Sequence, residues 1–206
     1  MSLKLFKDDV LFDQRLLSVS GFYKGPLNGK WTPAVEGADT TFFAEFDKIA
    51  AEIGIFDRRS EDAILTLLPQ TQKAARNFLN RTKTDFGDYT VKIISGSRTY
   101  AEQDQLYKKG RYGSTEKIVT KARGGQSNHN FGIAWDVGIF DGGKYLTGDN
   151  PGEAKIYKAL AAAVQSDELE WGGNWEHFKD KPHYQLKLGL SLAEVRARFE
   201  AGKPLE

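Results

Sequence analysis

The spacing of apolar positions along this chain changes period several times, and each change marks an element. Phe42, Phe43, Phe46, Ile49, Ala50 and Ile53 recur at three-to-four spacing behind Asp39-Thr40, which predicts an amphipathic helix capped at its start and ended by Gly54. Ser60-Glu61-Asp62 opens a further helical region through Leu67, and Pro69 begins another that carries Ala74, Ala75, Phe78 and Leu79. From Tyr89 to Ile94 β-branched and aromatic residues dominate, stopping at Ser95-Gly96-Ser97, so a strand is expected. Thr99 with Glu102 forms a capping box for a helix containing Leu106 and Tyr107 and closed by Gly110.

Residues 111 to 128 read as an irregular polar loop. Strict alternation returns from Gly132 to Ile139, where Ile133, Trp135, Val137 and Ile139 oppose Ala134, Asp136 and Gly138. Ile156, Tyr157, Leu160, Ala163 and Val164 make one helical stripe within 153–166, His183 to Leu188 reads as a strand, and Ser191 with Glu194 is a second capping box before a last helix closed by Gly202. Ahead of all this, the glycine- and proline-rich stretch Gly21 to Pro33 reads as consecutive turns. Helices and strands mix without regular βαβ alternation, so the expected class is α+β with a small antiparallel sheet and flanking helices. A division at residue 56 is expected, with a small N-terminal helical segment (1–56) ahead of a larger domain (57–206).

Composition narrows the chemistry. With 206 residues, 40% hydrophobic and 12% aromatic, the chain can bury one full core. Lys and Arg number 29 against 28 Asp and Glu, a formal net charge of +1 without a basic block, which argues against nucleic acid as a partner. No apolar run reaches the roughly 18 residues of a bilayer span, and charged residues interrupt Met1 to Ser20 as they would not in a signal peptide. The chain has no cysteine, so disulfides, thiolate metal sites and thiol nucleophiles are all excluded.

What remains for metal binding is histidine and carboxylate, and the chain has only three histidines. His129 stands seven positions before Asp136, and His183 opens a later strand. Two neutral imidazoles and one carboxylate form the donor set of a catalytic Zn²⁺ that keeps a fourth position open. Asn130-Phe131-Gly132 supplies the bend that would fold His129 back over the strand of Asp136, because Gly132 can adopt backbone angles other residues avoid. Asp180, three residues before His183, is placed to act as a general base, or is simply a turn residue before Pro182. Arg98, between a strand end and a helix start, could hold a substrate carboxylate or an oxyanion, or be a solvated arginine. His177, flanked by Trp175 and Phe178, reads as structural or substrate-lining rather than as a ligand, Glu176 is a rival base, and Trp171-Gly172-Gly173 could be no more than a packed turn. Ser127 lacks a spare His and acid to make it a nucleophile and is expected to orient a ligand.

At these residues the chain resembles the zinc peptidases of bacterial peptidoglycan, the family of D-alanyl-D-alanine carboxypeptidases and dipeptidases and phage L-alanyl-D-glutamate endolysins. Ser127-x-His129-x2-Gly132-x-Ala134-x-Asp136 carries the likeness, which extends through Gly96 to Tyr107 and Trp171 to Tyr184. The resemblance implies one Zn²⁺ on His129, Asp136 and His183, Asp180 as catalytic base, Arg98 as the substrate or transition-state arginine, and Ser127, Gln103, Trp171 and His177 at the substrate or supporting the ligands. It implies a fold shared with Hedgehog signalling domains, and peptidoglycan stem peptides as substrate for a monomeric enzyme. Aspartate at position 180, where the dipeptidase branch has glutamate, favours cleavage between L-Ala and D-Glu over removal of D-Ala, and a wall-binding module on the same fold is the non-catalytic alternative. Gly21-Phe22-Tyr23-x-Gly25-Pro26-Leu27-Asn28-Gly29 is similar to part of a small peptidoglycan-binding domain. Together these imply action at the cell wall or periplasm, with delivery by a holin or a secretion system.

Overall fold

The computed structural model describes residues 6–205; the part of the Met1 to Ser20 reading that concerns residues 1–5 lies outside them. The described residues form seven α-helices and a five-stranded antiparallel sheet, the α+β class expected. Two compact units are distinguishable: one draws on Phe46–Gly96 and Ile133–Leu188, the other on the described parts of Met1–Glu45 and Gly189–Glu206 together with Ser97–Gly132.

The first of these units contains the sheet. Strands β1 (Thr90–Ser95), β2 (Ala134–Asp141), β4 (Leu169–Trp171) and β5 (His183–Leu186) run in the order β1-β2-β5-β4, and β3 (Lys144–Leu146) pairs with β2. One face of β2 points into the core. Trp135, Val137 and Ile139 are fully buried there with Ile93, Tyr184 and, from helix α4 (Pro69–Asp85), Ala75 and Phe78. Trp135 stacks on Tyr184 at 6.2 Å, and Phe78 meets both rings edge-on at 5.9 and 4.7 Å. Such tilted and offset aromatic packing is favourable beyond the area it buries. Helix α6 (Pro151–Ala163) adds Tyr157 and Leu160 to the same core. The opposite face of β2 carries Asp136, directly across from His183 on β5.

Two predicted helix starts move. Helix α2 begins at Pro33 and runs to Ile53, not from Asp39-Thr40. Proline is preorganised for the first helical position, and the Thr40 and Thr41 hydroxyls donate to the Glu36 and Gly37 carbonyls inside the helix instead of capping it. Phe43 consequently falls on the exposed side. Helix α3 (Arg58–Leu65) starts one cap earlier than Ser60, on Asp57, whose side chain accepts from the Ser60 N–H.

The other unit is helical. It holds α1 (Lys7–Val19), the first part of α2, α5 (Tyr100–Lys108), a 3-10 turn (Asn128–Phe131) and α7 (Leu192–Glu200). Phe199 of α7 packs between Phe12 at 5.8 Å and Phe131 at 5.4 Å. The turns predicted over 21–33 are present, and fully buried Gln14 holds them: its side-chain oxygen accepts from the Asn28 and Gly29 N–H groups while its amide donates to the Lys30 carbonyl. Both predicted capping boxes, Thr99 with Glu102 and Ser191 with Glu194, form with both of their hydrogen bonds.

Candidate metal centre

The 3-10 turn that carries His129 runs directly into β2, and Gly132 between them is left-handed at φ 72°, a conformation that glycine adopts without strain. Two hydrogen bonds fix this turn to the segment before α5: the Arg98 N–H donates to the His129 carbonyl at 2.9 Å, and the Asn130 amide donates to the Arg98 carbonyl at 2.9 Å. Arg98 is half-buried, and its guanidinium donates to the side-chain oxygen of fully buried Gln103 at 3.1 Å. Gln103 is in turn anchored on the Ala122 carbonyl at 2.9 Å. The N-terminal start of α5 therefore positions both the arginine and the backbone of the first histidine.

The second histidine is positioned from the sheet. Asp136 and His183 are register partners across β2 and β5, with Nδ1 of His183 3.3 Å from Oδ1 of Asp136. Just before β5 the chain closes on itself: the Asp180 N–H donates to the Gly172 carbonyl at 3.0 Å, and the His183 N–H donates to the Asp180 carbonyl at 3.3 Å. Only a glycine fits at 172, because a Cβ there would lie 2.6 Å from the Asp180 carbonyl oxygen and 3.0 Å from the His183 Cβ. Burial pushes the His183 imidazole down, but the hydrogen bond and charge of Asp136, with Gln185 and Asp180 adding to them, outweigh it and hold the ring above its ordinary value.

His129, Asp136 and His183 each offer one ligand atom, and these atoms all lie within 4.8 Å of one another. Both rings are nearly fully buried, at 2% and 4% exposure, and Asp136 is partly buried. Two imidazoles and a carboxylate drawn together out of water fit a Zn²⁺ ion with three protein ligands. The other expected residues are placed around rather than in this group. Asp180 is half-buried in the turn leading to His183. Trp171 ends β4 with its indole N–H donating to the Lys181 carbonyl at 2.7 Å, Ser127 is the half-buried residue preceding the 3-10 turn, and His177 is exposed and is not one of the three converging donors.

Sequence reasoning missed two residues here. Gln185 contacts Nε2 of His183 at 3.0 Å, and Glu170 accepts from Gln185 at 3.0 Å and from the Trp175 indole. The signal was available for one of them, since residues two apart on a strand share a face and Gln185 stands two after His183.

Residues 120–186 match a family model described as D-alanyl-D-alanine carboxypeptidase. That span contains His129, Asp136, Asp180 and His183, and Arg98 and Gln103 lie outside it. Over 110 residues the chain is 39% identical to the peptidoglycan L-alanyl-D-glutamate endopeptidase CwlK of Bacillus subtilis (strain 168), an alignment that covers 47% of this chain and 60% of that protein's length. Among solved structures it is similar to the L-Ala D-Glu endopeptidase ChiX of Serratia marcescens, with 25% identity, a TM-score of 0.46, and coverage of 65% of this chain and 90% of that one. The family resemblance expected from the His129 to Asp136 motif thus recurs in the family match and in the relative. Among the described residues, no helix is long and apolar enough to cross a membrane.

Proposed function

We propose that this chain is a zinc-dependent peptidase of peptidoglycan stem peptides that cuts between L-Ala and D-Glu at the bacterial cell wall, acting as a monomer. The observation that carries this reading is the convergence of His129, Asp136 and His183 within 4.8 Å, with Asp180 held by backbone hydrogen bonds in the turn before His183. The name of the curated relative, a peptidoglycan L-alanyl-D-glutamate endopeptidase, supports the choice of bond. Bound by these three residues, Zn²⁺ would act as a Lewis acid, polarising the scissile carbonyl and lowering the pKa of attacking water.

The remaining work falls to side chains of this chain. The Asp180 carboxylate takes the proton of the attacking water and returns it to the leaving amine, a role that requires a carboxylate beside the ligands but not among them. Asp136 keeps the His183 imidazole oriented. Arg98, steadied by Gln103, binds a carboxylate of the stem peptide or the oxyanion of the tetrahedral intermediate. The substrate is an acidic peptide, for which a guanidinium is the appropriate partner.

A second bond is favoured by one observation, the description of the matching family model, which names D-alanyl-D-alanine carboxypeptidase. Mass spectrometry of fragments released from purified peptidoglycan separates the two. New N-terminal D-Glu is the expected product, and free D-Ala would overturn the assignment of the bond. Asp180→Ala is expected to retain zinc while losing turnover by about 10²- to 10⁴-fold, the usual weight of a general base. Zinc-loaded wild-type protein that binds peptidoglycan and releases nothing would overturn the enzyme reading altogether.

A further inference from the structure

Three apolar side chains stand in water on the loop that joins α5 to the 3-10 turn. Tyr112 is 76% exposed, Ile118 55% and Val119 51%. They are set among positive charge. Residues 108–123 hold six basic side chains, Lys108, Lys109, Arg111, Lys117, Lys121 and Arg123, against one acidic, Glu116, in a chain whose net charge is only +1. No more than two of the six are adjacent in sequence, so no basic block stands out there, and it is the folding of the loop that collects them.

The two limbs of the loop are fastened to each other and to α5. Arg111 donates to the Tyr107 carbonyl at 2.6 Å and to the Thr120 carbonyl at 3.1 Å, and Gln103 donates to the Ala122 carbonyl at 2.9 Å. The Arg111 and Arg123 guanidinium groups lie against the same Tyr107 ring, 4.0 and 4.9 Å from its centre. At Gly110 the limbs touch, since a Cβ there would lie 2.6 Å from the Ile118 nitrogen and 2.7 Å from the Glu116 carbonyl oxygen. The tip closed by this contact carries Tyr112, the only non-glycine residue among those described with a left-handed backbone, at φ 55°. That conformation is unfavourable for a bulky side chain, and it is spent on holding an aromatic ring in solvent. The single acidic side chain is already taken, because Glu116 pairs with Lys109 at 3.1 Å. The ammonium groups of Lys108 and Lys117, both exposed, have no partner among the described residues.

Exposed apolar side chains interleaved with uncompensated lysines select one kind of partner. An anionic polymer in water satisfies the lysines but gains nothing from Ile118 and Val119. An anionic lipid surface satisfies both, because its headgroups attract basic residues and the boundary between headgroups and acyl chains takes up apolar ones. We propose that the 108–123 loop docks the protein on the surface of an anionic lipid bilayer, with Tyr112, Ile118 and Val119 entering the interface and the lysines meeting the headgroups. The protein then lies on the bilayer through one loop, and the docking involves none of His129, Asp136 and His183, so it stands independently of the zinc reading.

Co-sedimentation of the full chain with lipid vesicles tests this. The wild type is expected to pellet with vesicles of phosphatidylcholine mixed with phosphatidylglycerol, and to remain in the supernatant with phosphatidylcholine alone. Each basic residue near such a surface is worth about fivefold in partition, so Lys108→Gln with Lys117→Gln is expected to weaken binding about 25-fold. Ile118→Ser with Val119→Ser leaves the charge unchanged and is expected to weaken it by about 10-fold or more. All four positions are exposed or lie on the loop surface, so thermal unfolding of both variants should match the wild type. The chain has no cysteine, so Thr115→Cys, at an exposed position, offers a single attachment point for an environment-sensitive dye. Its emission should shift to the blue on the mixed vesicles.

Wild-type protein that ignores the mixed vesicles overturns the proposal, as does equal binding by wild type and both variants. Binding that is lost with the lysines but kept in Ile118→Ser with Val119→Ser, without a shift of the dye, shows a loop that reads charge alone. That result overturns the lipid assignment in favour of a soluble polyanion, for which inorganic polyphosphate is the probe.

Discussion

Two charged side chains that are not among the His-Asp-His group show how differently a fold can treat a buried charge. Arg76 is fully buried on α4, where its guanidinium makes two hydrogen bonds with Glu61, at 2.8 and 2.7 Å, and a third with the Gly54 carbonyl at 2.7 Å. The Phe46 ring lies 4.9 Å from it. Removing one partner of such a pair leaves the other charge uncompensated, so Arg76→Ala is expected to cost about 3–5 kcal/mol in urea unfolding. Among the described residues, Asp13 has no such partner. Burial first, then the neighbouring charges of Asp39 and Asp9, push its carboxyl up from the ordinary 3.8 to about 6. A raised acid destabilises the fold wherever it is ionised: the penalty is complete above pH 6, shrinks as pH falls through the folded value, and is absent below the unfolded one. Asp13→Asn should therefore stabilise the protein by about 1 kcal/mol near neutral pH, allowing for solvent screening of a half-buried group. The gain should fade between about pH 6 and pH 4, and thermal melts across that range would check it. A gain that persists unchanged in acid would show that the ionised carboxylate is not its origin.

At the scale of the element, legibility followed the strength of the local signal. The capping boxes at Thr99 and Ser191 bind within four residues and needed no tertiary context, so both were readable and both form. The bend at Gly132 was readable for the same reason. The start of α2 was not, because Asp39 and Thr40 resemble a cap in isolation while the six residues after Pro33 continue the helix through Gly37. Strand β4 is only three residues long, too short for alternation to register, and Glu170 went unnoticed with it. The His129, Asp136 and His183 grouping was legible because histidine is so scarce in this chain, whereas Arg76 and Glu61, joined across two helices, left no local trace. Two glycines carry these distinctions into opposite predictions. Gly37 sits in the helix with open space around it, so Gly37→Ala should raise stability by about 0.5–1 kcal/mol. At Gly172 the same substitution drives a methyl group into the Asp180 carbonyl and the His183 Cβ, displacing Asp180 relative to His183. We expect Gly172→Ala to lower stability by about 1–3 kcal/mol and to weaken zinc binding with it; unchanged values for both would mean that the turn relaxes freely.

For the whole molecule, the proposed metal centre would link function to folding. Its three donors come from a 3-10 turn and two strands, and His129 and His183 lie far apart in sequence. An unfolded chain cannot gather them, so zinc should bind the native state almost exclusively and stabilise it by mass action. At a free concentration one hundred times the dissociation constant, the gain is about 2.7 kcal/mol. For a chain of 206 residues that corresponds to a rise in Tm of roughly 5–10 °C. Chelation should reverse the shift and a second addition of zinc restore it. The control is His129→Ala, which removes one donor and should leave a protein whose Tm does not respond to zinc at the same concentration. Because the variant retains Asp136, His183 and the exposed His177, an equal zinc response in wild type and variant would place the ion at some other group and separate the observed His-Asp-His convergence from any metal the protein takes up.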